Sequence, residues 1–462
     1  MGRTSMGIPD DLRVEIDNKG SNVGDENVRE SLQRLEFQRK HRLSVLPTMD
    51  DEVQKTLKLL DEPVQVTGED AAARRSRLAA LLASNPEIFQ RFMKSRNGET
   101  SISEDDGDDE EEFYTPGSYD LVEARRFMIK FSIARARKRL ENQRLMYKTL
   151  PQTIILHRRQ IYEKLQHFRL NASQVASSRP VSVVRVAPTG NLVACASWGG
   201  EIKLLDSETL QITTESPNSH TDKIGGLDWS VDGRRLVTGA ADRLVKVWDV
   251  DGENLKERAI LRGHESRVAR VRFHPSDRFV GSASFDKTWR LWDVERATEL
   301  QLQEGHMKEV YCIAFQTDGS LACSAGMDAL GLVWDIRCGN SIMSLDGHSR
   351  PIYGLDWSPN GYQLATGSAD GTIKIWDFRV KTCLESILAH KNIVSEVKFD
   401  PSAEFLISSS YDRKVNVFSA DNWHKVASLE GHTDKIMCVD LAPDSKTIVS
   451  SGWDRSVKTW KL

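Results

Sequence analysis

The chain has 462 residues, of which 39% are hydrophobic and 28% are charged, and its formal net charge is −4. This composition predicts a globular protein with a sizeable core. It excludes a membrane protein, because no stretch approaches the roughly 18 uninterrupted apolar residues of a membrane span. The N-terminus lacks the apolar core of a signal peptide, so we expect an intracellular protein. The six cysteines form no close C-x-x-C pair, which predicts free thiols and neither a zinc site nor a disulfide framework.

The first hundred residues predict a disordered start followed by helices. Residues 1–27 are polar and rich in Gly, Asp and Asn, which is typical of disorder. Residues 28–100 form a region of helical patterning that begins with the stretch Val28 to Leu46, where Pro47 ends the helix. The pattern resumes in DDEVQKTLKLL and AAARRSRLAALLA. A set of charged residues, Gly, Pro and Leu lies between and within these two stretches: Glu62, Pro63, Gly68, Glu69, Arg74, Arg75, Arg77 and Leu78.

An acidic linker and a basic helix come next. Residues 101–117 contain the run SEDDGDDEEE and predict a solvated linker. Residues 118–167 predict a long helix with nine bases and three acids in the stretch Tyr119 to Lys148. Three roles remain open for it: phosphate binding, a nuclear-import signal, or a solvated face paired with the acidic run. The residues that we expect to contact RNA or a ribonucleoprotein are Arg125, Arg126, Lys130, Arg135, Arg137, Lys138 and Arg139.

The rest of the chain is an internal repeat. Six repeat units close with a Trp-Asp pair or a degenerate equivalent, and the first residues of these pairs are Trp248, Trp292, Trp334, Trp376, Phe418 and Trp460. Successive pairs are separated by 44, 42, 42, 42 and 42 residues, and Leu205 marks one earlier unit. Each unit also carries short segments of alternating apolar and polar residues, which predict strands, and turn residues separate these segments. Four strands in roughly 42 residues is the spacing of a propeller blade, so seven units predict seven blades.

Six units share a histidine, a hydroxyl and an aspartate at fixed spacing before the Trp or Phe. Two complete sets are His264, Ser282, Asp286 and Trp292, and His348, Thr366, Asp370 and Trp376. A catalytic triad needs one nucleophile in one cleft, so a set that recurs six times predicts a buried structural network. The chain also has no Gly-rich phosphate loop and no metal-spaced ligands, so we expect no enzyme, no catalytic residue, no cofactor and no metal.

Two units depart from this pattern. In the first, Ser177, Cys195 and Gly199 replace the histidine, hydroxyl and aspartate, so we expect that blade to lack the polar network and to be held by its neighbours. In the sixth, Phe418 removes the indole N–H, which leaves Ser408 needing another partner.

The period, the histidine, the turn aspartate and the WD ending together resemble the WD-repeat family over about residues 179 to 462. The resemblance implies an all-β seven-bladed propeller at 168–462 behind an α-helical, partly disordered N-terminal region. It also implies that a strand near residues 169–174 closes the ring by pairing with the last unit. In this family one propeller face binds partners, and the residues at the corresponding positions are Trp198, Lys223, Arg267, Phe285, Tyr311, Met327, Tyr353, Tyr411, Lys435, Met437 and Trp453.

The spaced set at 62–78 is similar to the splicing-factor motif that precedes the propeller in the family of WD-repeat proteins of the U4/U6 small nuclear ribonucleoprotein (snRNP). This resemblance implies a nuclear, non-enzymatic scaffold of pre-mRNA splicing in the U4/U6 snRNP and U4/U6·U5 tri-snRNP. The implied partners are U4/U6 small nuclear RNA, a duplex-RNA-binding snRNP protein, a snRNP cyclophilin and the larger spliceosome. The alternative is a substrate receptor of a cullin-type ubiquitin ligase, because Trp334 to Arg337 and Trp376 to Arg379 resemble WD-x-R boxes.

Overall fold

The computed structural model divides the chain into two compact units, Met1–Tyr114 and Thr115–Leu462. The residues that it describes are 50–60, 63, 69, 71–84, 118–146, 148, 150–252 and 254–462. The predictions for residues 1–27, for the stretch Val28 to Leu46 and for the linker 101–117 lie outside these described residues.

The first unit contains a helical pair, α1 (Asp50–Leu59) and α2 (Ala71–Ser84). Apolar residues at helical spacing on the two segments meet in one small core. Its fully buried members are Val53, Leu57, Leu78 and Leu82.

The second unit begins with two helices, α3 (Tyr119–Met146) and α4 (Pro151–Leu165), where the sequence predicted one long helix at 118–167. Proline fixes its own backbone angle and lacks an N–H, so it is tolerated only in the first turn of a helix. Pro151 occupies that place in α4, which explains why α3 does not continue into it. None of the described helices has the length and apolar content needed to cross a membrane.

The remainder is a ring of seven four-stranded antiparallel sheets. The strand β1 (Arg169–Val175) precedes the first complete sheet. Blades 1 to 3 consist of β2 (Val181–Val186), β3 (Leu192–Ser197), β4 (Ile202–Asp206), β5 (Ile212–Ser216); β6 (Ile224–Trp229), β7 (Arg235–Ala240), β8 (Val245–Asp251), β9 (Asn254–Leu261); and β10 (Val268–Phe273), β11 (Phe279–Ser284), β12 (Trp289–Asp293), β13 (Thr298–Gln303). Blades 4 and 5 consist of β14 (Val310–Phe315), β15 (Leu321–Gly326), β16 (Gly331–Asp335), β17 (Asn340–Leu345); and β18 (Ile352–Trp357), β19 (Gln363–Ser368), β20 (Thr372–Asp377), β21 (Thr382–Leu388). Blade 6 consists of β22 (Val394–Phe399), β23 (Phe405–Ser410), β24 (Lys414–Ser419), β25 (Lys425–Glu430), and blade 7 contains β26 (Ile436–Leu441), β27 (Thr447–Gly452), β28 (Ser456–Lys461).

Blade 7 takes its fourth strand from the other end of the fold. β1 pairs antiparallel with β28, so that Arg169 lies opposite Lys461 and Val175 lies opposite Ser456. Just before β1, Leu165 and Phe168 are buried in a core with Trp460. The ring is therefore closed by backbone hydrogen bonds between segments from its two ends, which cover the edge of β28 and make β1 the outermost strand of blade 7.

The loops define two faces. We call the face made by the loops between second and third strands, and by the loops between successive blades, the upper face. The opposite lower face carries the loops between first and second and between third and fourth strands. α3 and α4 both contact loops of the lower face, α3 at blades 3 to 5 and α4 at blade 6.

Candidate functional site

The repeated polar sets form buried hydrogen-bond chains. In blade 3, His264 Nδ1 lies 2.7 Å from Asp286 Oδ2 and His264 Nε2 lies 2.6 Å from Ser282 Oγ, which also accepts a 2.7 Å bond from the indole of Trp292. Burial acts to raise the pKa of Asp286, but the hydrogen bonds from His264 and Thr288 together outweigh it and lower that pKa. Each hydroxyl is thus held by two buried neighbours, and the set stabilises its own blade.

The same chain recurs in blade 5. His348 lies 3.0 Å from Asp370 and 2.8 Å from Thr366, and the indole of Trp376 donates a 3.0 Å bond to Thr366. Blades 2, 4 and 7 have equivalent bonds. In blade 6, where phenylalanine replaces tryptophan, Ser408 keeps a 2.8 Å bond to His390.

Blade 1 has a substitute network, which the sequence reasoning missed. Glu201 accepts hydrogen bonds from Ser177 and, at 3.2 Å, from Ser197, and Ser197 Oγ accepts one from the Gly199 N–H at 3.0 Å. The expectation that this blade lacks a polar network was therefore wrong. A glutamate two residues after the missing aspartate reaches the same turn because its side chain is one methylene longer.

The central channel contains a buried ion cluster that the sequence reasoning also missed. Glu396 in blade 6 accepts bonds from Arg185 in blade 1 at 2.6 Å, and from Arg270 and Arg272 in blade 3 at 3.0 and 2.9 Å. Burial acts to raise the pKa of Glu396, but the three arginines outweigh it and lower the pKa to about 2. The cluster joins three blades across the channel.

A ring of alternating charge lies at the next-to-last position of the innermost strands. Acids from blades 2, 5 and 7 each accept a 2.8 Å bond from a backbone N–H of the following blade. In blade 4 the equivalent residue is alanine. In blade order the ring is Arg185, Asp228, Arg272, Ala314, Asp356, Lys398 and Asp440. Alignment of the repeats would have exposed this alternation.

Residues at the partner-binding positions named above form two arcs on the upper face, which we call the rim cluster. In the first arc, the rings of Trp198 and Trp453 meet edge to face at 5.2 Å. Lys223 lies 5.0 Å from the Trp198 ring, and Lys435 lies 4.8 Å from Trp453 and 5.4 Å from Tyr411. This arc therefore combines three aromatic rings with two cations from blade 6 to blade 2.

The second arc spans blades 3 to 5. Arg267 stacks 3.7 Å above the Phe285 ring, which lies 6.4 Å from Tyr311, and Tyr311 contacts Tyr353 at 4.8 Å. The Phe285 N–H donates to the Arg267 carbonyl at 3.0 Å, so backbone geometry sets this stacking. Arg267 is exposed and the three aromatic residues are half-buried.

The two methionines of the rim cluster differ in exposure. Met327 is half-buried at a turn between second and third strands, whereas Met437 is 7% exposed and its sulfur accepts a 2.9 Å bond from the Trp453 indole. Met437 therefore supports Trp453 from below.

Burial raises the pKa of Tyr411, which keeps its phenol protonated at neutral pH.

The basic residues of α3 divide between two faces of the helix. Arg139 pairs with Asp318 at 2.7 Å and donates to the Asn360 carbonyl at 2.9 Å, and Arg135 donates to the Thr317 carbonyl at 3.0 Å. A Cβ on Gly339 would come within 2.5 Å of the Arg125 guanidinium, which places Arg125 against blade 4. The exposed members of the set are Arg126, Lys130, Arg135, Arg137 and Lys138, and of these Arg135 is held by its bond to Thr317.

The described part of the 62–78 motif has an internal role. Arg77 binds Glu69 through two hydrogen bonds of 2.8 and 3.0 Å and donates to the Pro63 carbonyl at 2.8 Å. Leu78 belongs to the small core and Arg74 is 6% exposed. These residues tie the connection to α2, whereas Glu62, Gly68 and the side chain of Arg75 lie outside the described residues.

The two WD-x-R boxes have their arginines paired internally. Arg337 binds Asp335 at 2.7 Å, and Arg379 binds Asp377 at 2.6 Å while lying 3.6 Å from the Tyr362 ring.

Among the described residues, no group of His, Cys, Asp and Glu is arranged to hold a metal ion.

Comparison with known proteins places these features in context. The family described as WD domain, G-beta repeat, matches residues 211–249, 255–293, 297–335, 339–377, 381–419 and 423–461. The U4/U6 small nuclear ribonucleoprotein PRP4 of Saccharomyces cerevisiae is 42% identical over 301 residues, which cover 64% of this chain and 64% of that protein.

Two further relatives carry similar names. The U4/U6 small nuclear ribonucleoprotein PRP4-like protein of Arabidopsis thaliana is 36% identical over 54% of this chain and 45% of its own length. The U4/U6 small nuclear ribonucleoprotein Prp4 of Homo sapiens is 36% identical over 54% of this chain and 39% of its own length. The matches thus cover less than two thirds of each relative. The chain belongs to the WD-repeat family and is similar to U4/U6 small nuclear ribonucleoprotein PRP4 proteins of yeast, plant and human.

Proposed function

We propose that this chain is a non-enzymatic scaffold of pre-mRNA splicing, in the U4/U6 snRNP and the U4/U6·U5 tri-snRNP. The observation that carries the proposal is the 42% identity over 301 residues with a yeast protein named as a U4/U6 snRNP component. The plant and human relatives bear the same designation. This function requires a location in the nucleus. These relatives give no support to the ubiquitin-ligase alternative.

The rim cluster is the proposed partner-binding surface. Aromatic and arginine side chains dominate the binding energy of protein interfaces, and a rigid ring holds them in place before binding. The two arcs combine aromatic rings with three cations whose charges lie directly over those rings. The proposed partners are the snRNP proteins, including the duplex-RNA-binding protein and a snRNP cyclophilin, and U4/U6 small nuclear RNA.

The exposed bases of α3 are the proposed second contact with the ribonucleoprotein. Arg135 and Arg139 are committed to lower-face carbonyls and a carboxylate, so they hold the helix in place. Arg126, Lys130 and Lys138 are exposed and remain available for an external partner. Two separate surfaces on one rigid body allow several weak contacts to act together.

Purification of the tagged full chain from nuclear extract at moderate salt tests the function. We expect U4 and U6 small nuclear RNAs to be recovered with it. Recovery of a cullin and its adaptor without these RNAs would refute the splicing assignment.

The substitution Trp453→Ala tests the rim cluster in the same purification. The ring is half-buried at the surface, so its removal should leave the fold intact and reduce recovery of the snRNP proteins. Tyr362→Ala is the matched control, because Tyr362 also lies under a cation but on the lower face. A Trp453→Ala variant that unfolds, or that binds as well as the control, would contradict the surface assignment.

A further inference from the structure

One face of α3 is fixed against the propeller. At its start, Asp120 and Glu123 bind Arg296 at 2.7 and 2.8 Å, and near its end Arg139 binds Asp318. Between these pairs Met128 is fully buried. Ion pairs at two points along the helix, with packing between them, prevent it from turning about its axis. The opposite face is therefore held outward.

That outward face carries a row of apolar side chains. Val122, Ile129, Ile133 and Leu140 are 39%, 39%, 59% and 47% exposed. With Arg126 and Ala136 at the two intervening positions, the row follows alternating steps of four and three residues. This is the spacing of a helix that packs against a second helix. It extends about 27 Å at 1.5 Å per residue.

Basic residues run beside this row. Arg126 fills one of the intervening positions, and Lys130 and Arg144 lie to one side of the row; all three are exposed, and no described residue forms an ion pair with them. The neighbouring Arg137 is paired with Glu141 at 3.2 Å, with both side chains more than half exposed. The face therefore combines an apolar stripe with a strongly positive flank.

We propose that the outward face of α3 binds an acidic amphipathic helix of another protein. The apolar row would pack between the two helices, and carboxylates beside the partner's own row would pair with the α3 bases. This proposal rests on the proposed function, because it specifies that the ribonucleoprotein contact of α3 is made with a protein.

Three other occupants fit the face less well. RNA would use the bases, but phosphate contacts give no role to four exposed aliphatic side chains. A second copy of α3 would bring its own bases against these bases. The chain's own acidic run, residues 103–112, contains no apolar residue to cover the row.

A designed peptide tests the recognition chemistry. The probe is a labelled peptide of about four heptads with Leu at the two core positions and Glu at the flanking positions, titrated into the full chain by fluorescence anisotropy. We expect saturable binding that weakens with salt, and a loss of at least about tenfold in affinity for the double substitution I129D/I133D.

The control is Ile155→Asp on α4, an isoleucine that is 52% exposed on a different helix. This variant should bind the peptide as the unchanged chain does, and circular dichroism should show that both variants fold. The triple substitution R126Q/K130Q/R144Q should weaken binding and flatten its salt dependence. Equal affinity in the unchanged chain and the I129D/I133D variant would overturn the proposal.

A photo-crosslinking residue at position 133 identifies the natural occupant in particles purified from nuclear extract, with position 155 as the control. The expected product joins position 133 to a segment of another protein that has apolar residues at this spacing and acids beside them. Crosslinks to RNA or to residues 103–112, or no crosslink above the control, would overturn the proposal. None of these results would affect the splicing assignment, which depends on recovery of U4 and U6 RNA.

Discussion

Replacing Glu396 by glutamine tests whether the channel cluster holds the ring together. The substitution keeps the side-chain shape but leaves Arg185, Arg270 and Arg272 buried without their shared carboxylate. Breaking a buried ion cluster by removing one partner costs about 3–5 kcal/mol. A fold of roughly 290 residues has an unfolding entropy of about 0.6 kcal/mol/K at its midpoint, so Tm should fall by about 5–8 °C.

The pH dependence provides a second measure of the same cluster. The pKa of Glu396 is about 2 in the folded protein against an ordinary 4.5, a difference of about 3 kcal/mol. Because the folded pKa is the lower one, this stabilisation is complete above about pH 4.5 and is lost as the pH falls toward about 2. Glutamine resembles the protonated acid, so the difference in Tm between the two proteins should shrink over that interval.

Differential scanning calorimetry of both proteins at near-neutral and acidic pH measures these effects. The matched control is Glu430→Gln, because Glu430 pairs with Lys414 on the outer surface, where solvent screens the pair. It should leave Tm nearly unchanged. If Glu396→Gln behaves like this control, or if its Tm deficit is as large in acid as at neutral pH, the cluster does not contribute the stability assigned to it.

Three further outcomes follow from the contacts. Phe168→Ala removes a 6% exposed ring at the closure and should cost about 3–5 kcal/mol, measured as a lower Tm and faster limited proteolysis. Arg139→Gln should speed amide hydrogen exchange in α3 but not in the blades, and adding Asp318→Asn should have no further effect, whereas additive effects would show that the pair does not anchor the helix. Cys338 is exposed and should react with a thiol reagent in the folded protein, whereas Cys195, whose pKa burial raises to about 12, should react only on unfolding.

The repeat made the propeller predictable because its signals are local. The residues of one polar set, such as His264, Ser282 and Asp286, lie within a single unit and recur at the same spacing in other units. Turn residues separate the strands in the same way. Blade number and blade order therefore follow directly from the period.

Contacts between distant segments were not predictable in this way. Arg139 finds Asp318 across 179 positions, and Glu396 finds its arginines across 124 to 211 positions, so no periodic pattern links the partners. Which side of α3 packs against the propeller was only partly predictable, because Met128 on its buried face and Ile133 on its exposed face are equally apolar. Tertiary packing, which composition does not encode, decides between them.

The closing strand pair also determines how the protein responds to mechanical force. Because Arg169 lies opposite Lys461, tension on the chain before β1 and after β28 acts at the same end of the pair. The hydrogen bonds would then open one at a time, as in a zipper, which requires less force than sliding whole strands past each other. α4, however, joins the chain before β1 to blade 6 through the bond from Tyr162 to Asp421. Load from the N-terminal side therefore reaches this helix first, and the seam of the ring is shielded from it.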